Sequence, residues 1–251
     1  VMGEFLSRIQ KLMPLCLTSF TGGSKDNAIP RSCRVNLVAM GIHLERINEI
    51  AQTLQEEIRA EYDEPEAVIQ AFDVDALGGN SLTTESTAKV ISLLCSAPNG
   101  VQKWSADIPG LVQTSLNLGI AKLGDRFSAT FSVRSSVNAE KKELLEQLRA
   151  LAGMLDGTYS QDGEYPAWEY RKESHLRDTM VPIYRELFGA EPRVEAIHAG
   201  LECGLFSERL SGLDCVSIGP DILDIHTSRE RLDIASVQRT WRFLLEVLKN
   251  L

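Results

Sequence analysis

Apolar and polar residues follow two different spacings along the first part of the chain. Short apolar runs at 15–20, 34–40 and 67–74 predict strands. Apolar residues at helical spacing predict helices at 44–58 and 83–95, with charged residues on the remaining faces of the first. The order of these segments predicts a sheet accompanied by helices.

Two further strands are predicted at 113–123 and 126–134, joined by Gly124-Asp125, a pair typical of hairpin turns. The second strand alternates strictly, with apolar residues at Phe127, Ala129, Phe131 and Val133 and polar residues at Ser128, Thr130, Ser132 and Arg134. Such alternation is typical of an antiparallel strand with one covered face. Asn138 is the predicted cap of the next helix, and 159–170 is a further predicted strand.

From about residue 170 the spacing changes. A helix is predicted at 177–188, a helix-like turn at 201–209, and short strands at 193–197 and 213–218. A final helix follows Asp233, its predicted N-cap. One face of that helix is apolar throughout and carries Ile234, Val237, Trp241, Leu244, Leu245, Leu248 and Leu251. This order predicts part of a parallel α/β domain, too short to stand alone.

Composition narrows the class of protein. Hydrophobic residues make up 43% and charged residues 24%, as in ordinary globular domains. The net charge of −9 disfavours nucleic acid and anionic membrane surfaces as partners. No run of 18 apolar residues predicts a transmembrane helix. Five cysteines without a C-x-x-C pair favour reduced thiols and a cytoplasmic protein.

Chemistry-bearing residues are densest in two loops that follow predicted strands, at 197–204 and 218–227. Ligands of parallel α/β sheets collect at that end of the strands. Asp224 and His226 are two residues apart, so in an extended loop they could share a face. An imidazole there can bind a metal ion while a nearby acid orients the ring. From the residues alone, a surface or hydrogen-bonded role for His226 is favoured over a metal role. Phosphate-loop and Gly-x-Ser-x-Gly motifs are absent from the sequence.

Several segments in chain order resemble one family of peptidases. They are Ser19–Ser24 (SFTGGS), Asn27–Pro30 (NAIP), Pro98–Val101 (PNGV), Leu111–Leu118 (LVQTSLNL), Val133–Ser136 (VRSS), His198–Gly204 (HAGLECG), Ile218–Pro220 (IGP) and Asp224–Thr227 (DIHT). Together they resemble the aminoacyl-histidine dipeptidases, also called Xaa-His or cytosol nonspecific dipeptidases, of the dizinc M20 metallopeptidase clan. The resemblance runs over nearly the whole chain.

The resemblance implies the fold class and the domains. Residues 1–165 would form a lid, a two-layer α/β sandwich with an antiparallel sheet that lacks its first strand. Residues 166–251 would be the C-terminal segment of the α/β catalytic domain. The chain would therefore be the C-terminal half of the enzyme, and lids of this clan often pair to form homodimers.

The resemblance also implies site residues. His226 would be a zinc ligand, and Asn27, Arg134 and Gly200 would bind the substrate's C-terminal carboxylate or line its pocket. His198 would line the site as well. A surface arginine and a structural loop histidine remain the alternatives for Arg134 and His198. Ser228 departs from the family, which usually has proline there.

The other metal ligands and the general base of this family belong to the first half of the enzyme. We therefore expect no catalytic residue in this chain, and no activity from the chain alone. The complete enzyme would hydrolyse Xaa-His dipeptides with two zinc ions. Two alternatives stay open: a non-catalytic lid and dimerisation fragment, and a peptidase or aminoacylase of the same clan with another substrate.

Overall fold

The computed structural model describes residues 1–41, 43–74, 80–196, 201–225 and 227–251. The chain divides into two units, each assembled from separate stretches. The first unit comprises 1–102, 115–133 and 142–161, and the second comprises 103–114, 134–141 and 162–251. The elements of the described residues are, in order, α1 Met2–Gln10, β1 Leu15–Gly22, β2 Cys33–Ala39, α2 Leu44–Tyr62, α3 Thr84–Ser96, β3 Gly100–Trp104, β4 Val112–Leu123, β5 Phe127–Ser135, α4 Asn138–Met154, α5 His175–Phe188, α6 Glu202–Arg209, β6 Ile222–Leu223, β7 Arg231–Leu232 and α7 Ile234–Lys249.

A five-stranded sheet organises the first half of the chain. Its strand order is β2-β1-β4-β3, and β5 also pairs with β4. β1 and β2 pair antiparallel from Leu15 opposite Ala39 to Gly22 opposite Cys33, with a register shift between Leu17 and Ser19. β1 also pairs antiparallel with β4. The predicted mixed α/β fold with an antiparallel sheet is confirmed.

Helices α1, α2 and α3 enclose the core of the first unit. α1 packs against α2 and α3, and α3 packs against β1. The buried side chains of this core are Phe5, Leu6, Ile9, Leu15, Leu17, Phe20, Ala51, Leu54, Ile58, Val90, Ile91 and Ala121. The buried hydroxyl of Thr87 accepts a hydrogen bond from Leu17 N at 3.1 Å, so α3 is also tied to β1 by a polar contact.

The prediction of a strand at 67–74 is wrong. Side chains of α2 take the place of a neighbouring strand: Asn48 donates to Ala71 O at 3.2 Å and accepts from Ala71 N at 3.0 Å. Gln55 accepts from Ile69 N at 2.9 Å. Because these bonds satisfy the backbone, the segment stays extended beside the helix without joining a sheet.

The predicted hairpin is confirmed as β4 and β5. Phe127, Ala129, Phe131 and Val133 are half-buried, whereas Ser128, Thr130 and Arg134 are exposed. The apolar pattern predicts no strand at the position of β3. All five of its residues are exposed, so it lacks the alternation that reveals a half-buried strand.

Asn138 does not cap α4 as predicted. It is the first residue of the helix, its side chain accepts from Ala167 N at 2.8 Å, and its own N–H donates to Glu169 Oε1 at 3.2 Å. Lys141 also donates to Tyr165 O. The start of α4 thus makes hydrogen bonds to the segment 159–170, which was predicted as a strand. That segment forms no strand.

Helices α5 and α7 form the core of the second unit, where Met180 and Ile183 pack with Phe243 and Val247. Asp233 caps α7 as predicted, accepting from the N–H groups of Ala235 and Ser236. The helix-like turn predicted at 201–209 is an α-helix, α6.

The predicted apolar face of α7 is not the face that the second unit buries. Ile234 is 74% exposed and Trp241 60%, whereas Phe243 and Val247 are buried. The short strands predicted at 193–197 and 213–218 are likewise not strands within residues 193–196 and 213–218. A strand forms only beside a paired neighbour, and the described part of the chain supplies none there. Ile197 lies outside the described residues.

Membrane insertion can be assessed from helix length and polarity. Of the helices in the described ranges, none is both long and apolar enough to cross a bilayer.

Candidate functional site

The loop between β1 and β2 carries Asn27, which is exposed. The Asp26 side chain accepts a hydrogen bond from Asn27 N at 2.8 Å, which stabilises a tight local turn. The Asn27 side chain has no hydrogen-bond partner among the described residues. Its amide is therefore available to a ligand.

Two glycines let this loop lie directly against β4. A Cβ on Gly23 would stand 1.9 Å from Gly119 O, and a Cβ on Gly119 would stand 2.0 Å from Asp26 O. Gly23 also has φ +72°, a conformation that favours glycine. Any larger residue at either position would push the loop away from the sheet.

Arg134 lies near the end of β5, on its polar side, and is exposed. Its guanidinium makes no hydrogen bond or ion pair with the part of the chain that the structure describes. A guanidinium in this state presents a planar fork of donors that suits a carboxylate.

The residue after Arg134 is fixed by a polar network. Ser135 Oγ lies 2.7 Å from Thr114 Oγ1, and Thr114 donates to Glu140 Oε2 at 2.5 Å. Lys103 also donates to Glu140. Burial alone would raise the pKa of Glu140, but the hydrogen bonds from Lys103, Thr114 and Gln113 outweigh it and hold that pKa below its usual value. An ionised Glu140 therefore ties α4 to the end of the hairpin that carries Arg134.

The remaining predicted site residues, His198, Gly200 and His226, lie outside the described residues. Asn27 belongs to the first unit and Arg134 to the second, and each is described within its own unit. Sequence reasoning did not single out Glu140, because an acid in the first turn of a helix is an ordinary surface feature.

The described residues do not form a metal centre. No group of three or more histidine, cysteine, aspartate or glutamate side chains among them could hold a metal ion. His226, the predicted zinc ligand, is outside that set. A stable zinc site needs three or four ligands, so the described residues on their own do not fit one.

A cavity of about 1070 Å³ lies within the second unit, and its wall includes neither Asn27 nor Arg134. Asp214 lies on that wall, where it accepts from Ser174 Oγ at 2.7 Å and Leu176 N at 2.9 Å. Burial opposes ionisation, but these bonds hold the pKa of Asp214 below its usual value. Asp214 therefore anchors the start of α5 and is not a free acid for catalysis.

Comparison with known proteins gives strong matches in both sequence and structure. The chain is 32% identical over 251 residues to the cytosol non-specific dipeptidase of Escherichia coli (strain K12), covering 99% of this chain and 52% of that protein. It matches the crystal structure of the aminoacylhistidine dipeptidase from Vibrio alginolyticus with a TM-score of 0.89 and 28% identity, covering 100% of this chain and 51% of that one. No protein-family model matches the chain.

The chain is thus similar in fold and in sequence to dipeptidases over about half of their length. The resemblance to the aminoacyl-histidine dipeptidases that the motifs predict is confirmed. The chain spans about half the length of the relatives it matches, which fits the predicted correspondence to their C-terminal half.

Proposed function

We propose that the chain acts as the C-terminal half of a metal-dependent dipeptidase about twice its length, cleaving dipeptides of the Xaa-His type. The observation that carries this proposal is the match to a dipeptidase structure over 100% of the chain at a TM-score of 0.89. In this proposal the chain supplies the groups that hold the substrate, and the general base comes from the other half.

Residues 1–165 act as the lid and residues 166–251 as the C-terminal segment of the catalytic domain. The exposed apolar face of α7 supports the second assignment. Ile234 and Trp241 on that face are 74% and 60% exposed, an unusual state for large apolar side chains at regular helical spacing. The other half of the enzyme would cover this face.

Arg134 holds the substrate's C-terminal carboxylate through two parallel hydrogen bonds from its guanidinium. Asn27 donates to the carboxylate from its side-chain amide. Both side chains are exposed and lack side-chain partners among the described residues, which supports these roles. A clamp on the free carboxylate favours peptides that end shortly after the cleaved bond, because a peptide extended at its C-terminal end places an amide where the charge belongs.

His226 serves as one ligand of a zinc ion, with the remaining ligands in the other half, and His198 and Gly200 line the site. When bound, the two metal ions would activate a water molecule for attack on the peptide bond. The contribution of this chain is to orient the substrate for that attack.

The enzyme is a cytoplasmic homodimer that pairs through its lid. β3 stands at one end of the strand order, with Val101 and Trp104 exposed, and an end strand is a ready surface for pairing. Light scattering after size exclusion tests this pairing, and a monomer at high concentration contradicts it.

The role of Arg134 is tested in a completed enzyme, meaning this chain fused to the remaining half of the E. coli relative. Arg134→Ala is expected to lower kcat/KM for Ala-His about 100-fold, because charge-assisted bonds to the carboxylate are lost. The matched control is Arg126→Ala, an exposed arginine immediately before β5, which should change kcat/KM less than about twofold. Equal effects of the two variants would make Arg134 an ordinary surface arginine.

A further inference from the structure

We infer that Asn117 is a positioning residue for Asn27, holding the peptide carbonyls on both sides of it against β4. The inference rests on the proposed role of Asn27 as a carboxylate ligand, and it deepens that role. Asn117 lies in the LNL stretch of β4 and is half-buried.

The contacts that carry the inference come from one side-chain amide. Asn117 Nδ2 donates to Asp26 O at 3.2 Å and to Ala28 O at 3.1 Å. These carbonyls belong to the residues immediately before and after Asn27. An amide nitrogen has two protons, and Asn117 donates both to the carbonyls that flank this single residue.

The strand provides a matching space for the loop. Asn117 and Gly119 are two residues apart on β4 and therefore face the same side of the sheet. Asp26 O accepts from Asn117 and also stands where a Gly119 Cβ would be, at 2.0 Å. The Asn117 amide thus donates to the Asp26 carbonyl, and the absence of a side chain at Gly119 leaves room for that carbonyl.

These contacts fix the backbone at residue 27 and leave the Asn27 side chain without a hydrogen-bond partner among the described residues. A ligand-binding group that is held in place before binding loses less conformational entropy when the ligand arrives. Removing the two hydrogen bonds from Asn117 should therefore weaken substrate binding more than it slows the chemical step.

Asn99, immediately before β3, offers a matched control because its side chain bonds to the same strand, β4. Its Oδ1 accepts from Leu118 N at 3.1 Å, so it bonds to β4 next to Asn117 without touching the loop. Asn117→Ala and Asn99→Ala remove the same kind of side chain from neighbouring places, and only the first releases the loop.

The first experiment measures trypsin cleavage after Lys25 and Arg31, within the loop, in the 251-residue chain. Cleavage should be about tenfold faster in Asn117→Ala than in the wild type, since two hydrogen bonds to the loop are lost. Asn99→Ala should be cleaved at the wild-type rate. Equal cleavage rates in the two variants overturn the inference, whatever the function of the protein.

The second experiment measures KM and kcat in the completed enzyme. Asn117→Ala should raise KM for Ala-His about tenfold with less than a twofold change in kcat. Gly119→Ala, which displaces the loop by another route, should do the same. If Asn27→Ala raises KM and Asn117→Ala does not, the inference fails alone. If neither variant raises KM, the proposed role of Asn27 fails with it.

Discussion

The two units differ in how far the apolar faces of their helices are buried. In the first unit, the apolar positions of α1, α2, α3 and β1 are buried in one shared core. In the second unit, α5 and α7 share a small core, while the longest apolar face of α7 remains exposed. An apolar pattern therefore identifies a helix face suited to burial, whereas burial itself depends on what packs against that face. Substitutions in both units test this difference, and the largest effect is expected in the core of the first unit.

The core of the first unit should respond strongly to truncation. Leu17 is fully buried, so Leu17→Ala should lower the free energy of unfolding by about 3 kcal/mol through lost transfer energy and a residual cavity. Val38→Thr, at an exposed position of β2, should cost less than about 1 kcal/mol. Urea titration measures both, and similar costs would mean that the core of this unit is not tightly packed.

The cap of α7 should contribute less to the free energy of unfolding than Leu17 does. Asp233→Ala removes the acceptor of the Ala235 and Ser236 N–H groups and should cost about 1 kcal/mol. Glu186→Ala, an exposed position within α5, is the matched loss of a carboxylate and should be close to neutral. Helix content followed by circular dichroism during thermal unfolding provides the measurement. A cap variant as stable as the control would contradict the capped geometry.

Acid should weaken the Glu140 network. The folded-state pKa of Glu140 lies below the ordinary value of 4.5, so the unfolded chain binds the proton more readily. The stabilisation is present above pH 4.5 and is lost as the pH falls through the lower folded-state pKa. Glu140→Gln should therefore show a shallower loss of stability between about pH 5 and pH 3 than the wild type. Parallel pH profiles would show that Glu140 contributes no such linkage.

The exposed face of α7 should show the smallest effect in this chain. Trp241→Gln is expected to change the free energy of unfolding by less than about 0.5 kcal/mol, because Trp241 is already 60% exposed. Phe243→Ala, on the buried side of the same helix, should cost about 3 kcal/mol. A large cost for Trp241→Gln would mean that this face is covered within the chain.

Local signals were enough for some elements. Gly124-Asp125 and the alternation from Phe127 to Val133 predicted the hairpin, and Asp233 predicted the start of α7, since each depends on neighbours in sequence. The segment 67–74 failed because its hydrogen-bond partners, such as Asn48, are side chains of a helix and leave no mark in an apolar pattern.

The site was less accessible to sequence reasoning. Asn27 and Arg134 were found through the resemblance, and their roles stay predictions. The contact of Asp26 O with Gly119 joins residues that are distant in sequence, so no local pattern could reveal it. The network around Glu140 likewise exists only after β3, β4 and α4 have come together.

The central claim is that this chain is the substrate-holding half of a dipeptidase. Hydrolysis of Ala-His is measured with added zinc for the 251-residue chain and for the completed enzyme, with N-acetyl amino acids as alternative substrates. The account predicts no turnover by the chain alone and clear dipeptide hydrolysis by the fusion. Robust hydrolysis by the purified chain alone, or a folded fusion that cleaves N-acetyl amino acids and not Ala-His, would contradict it.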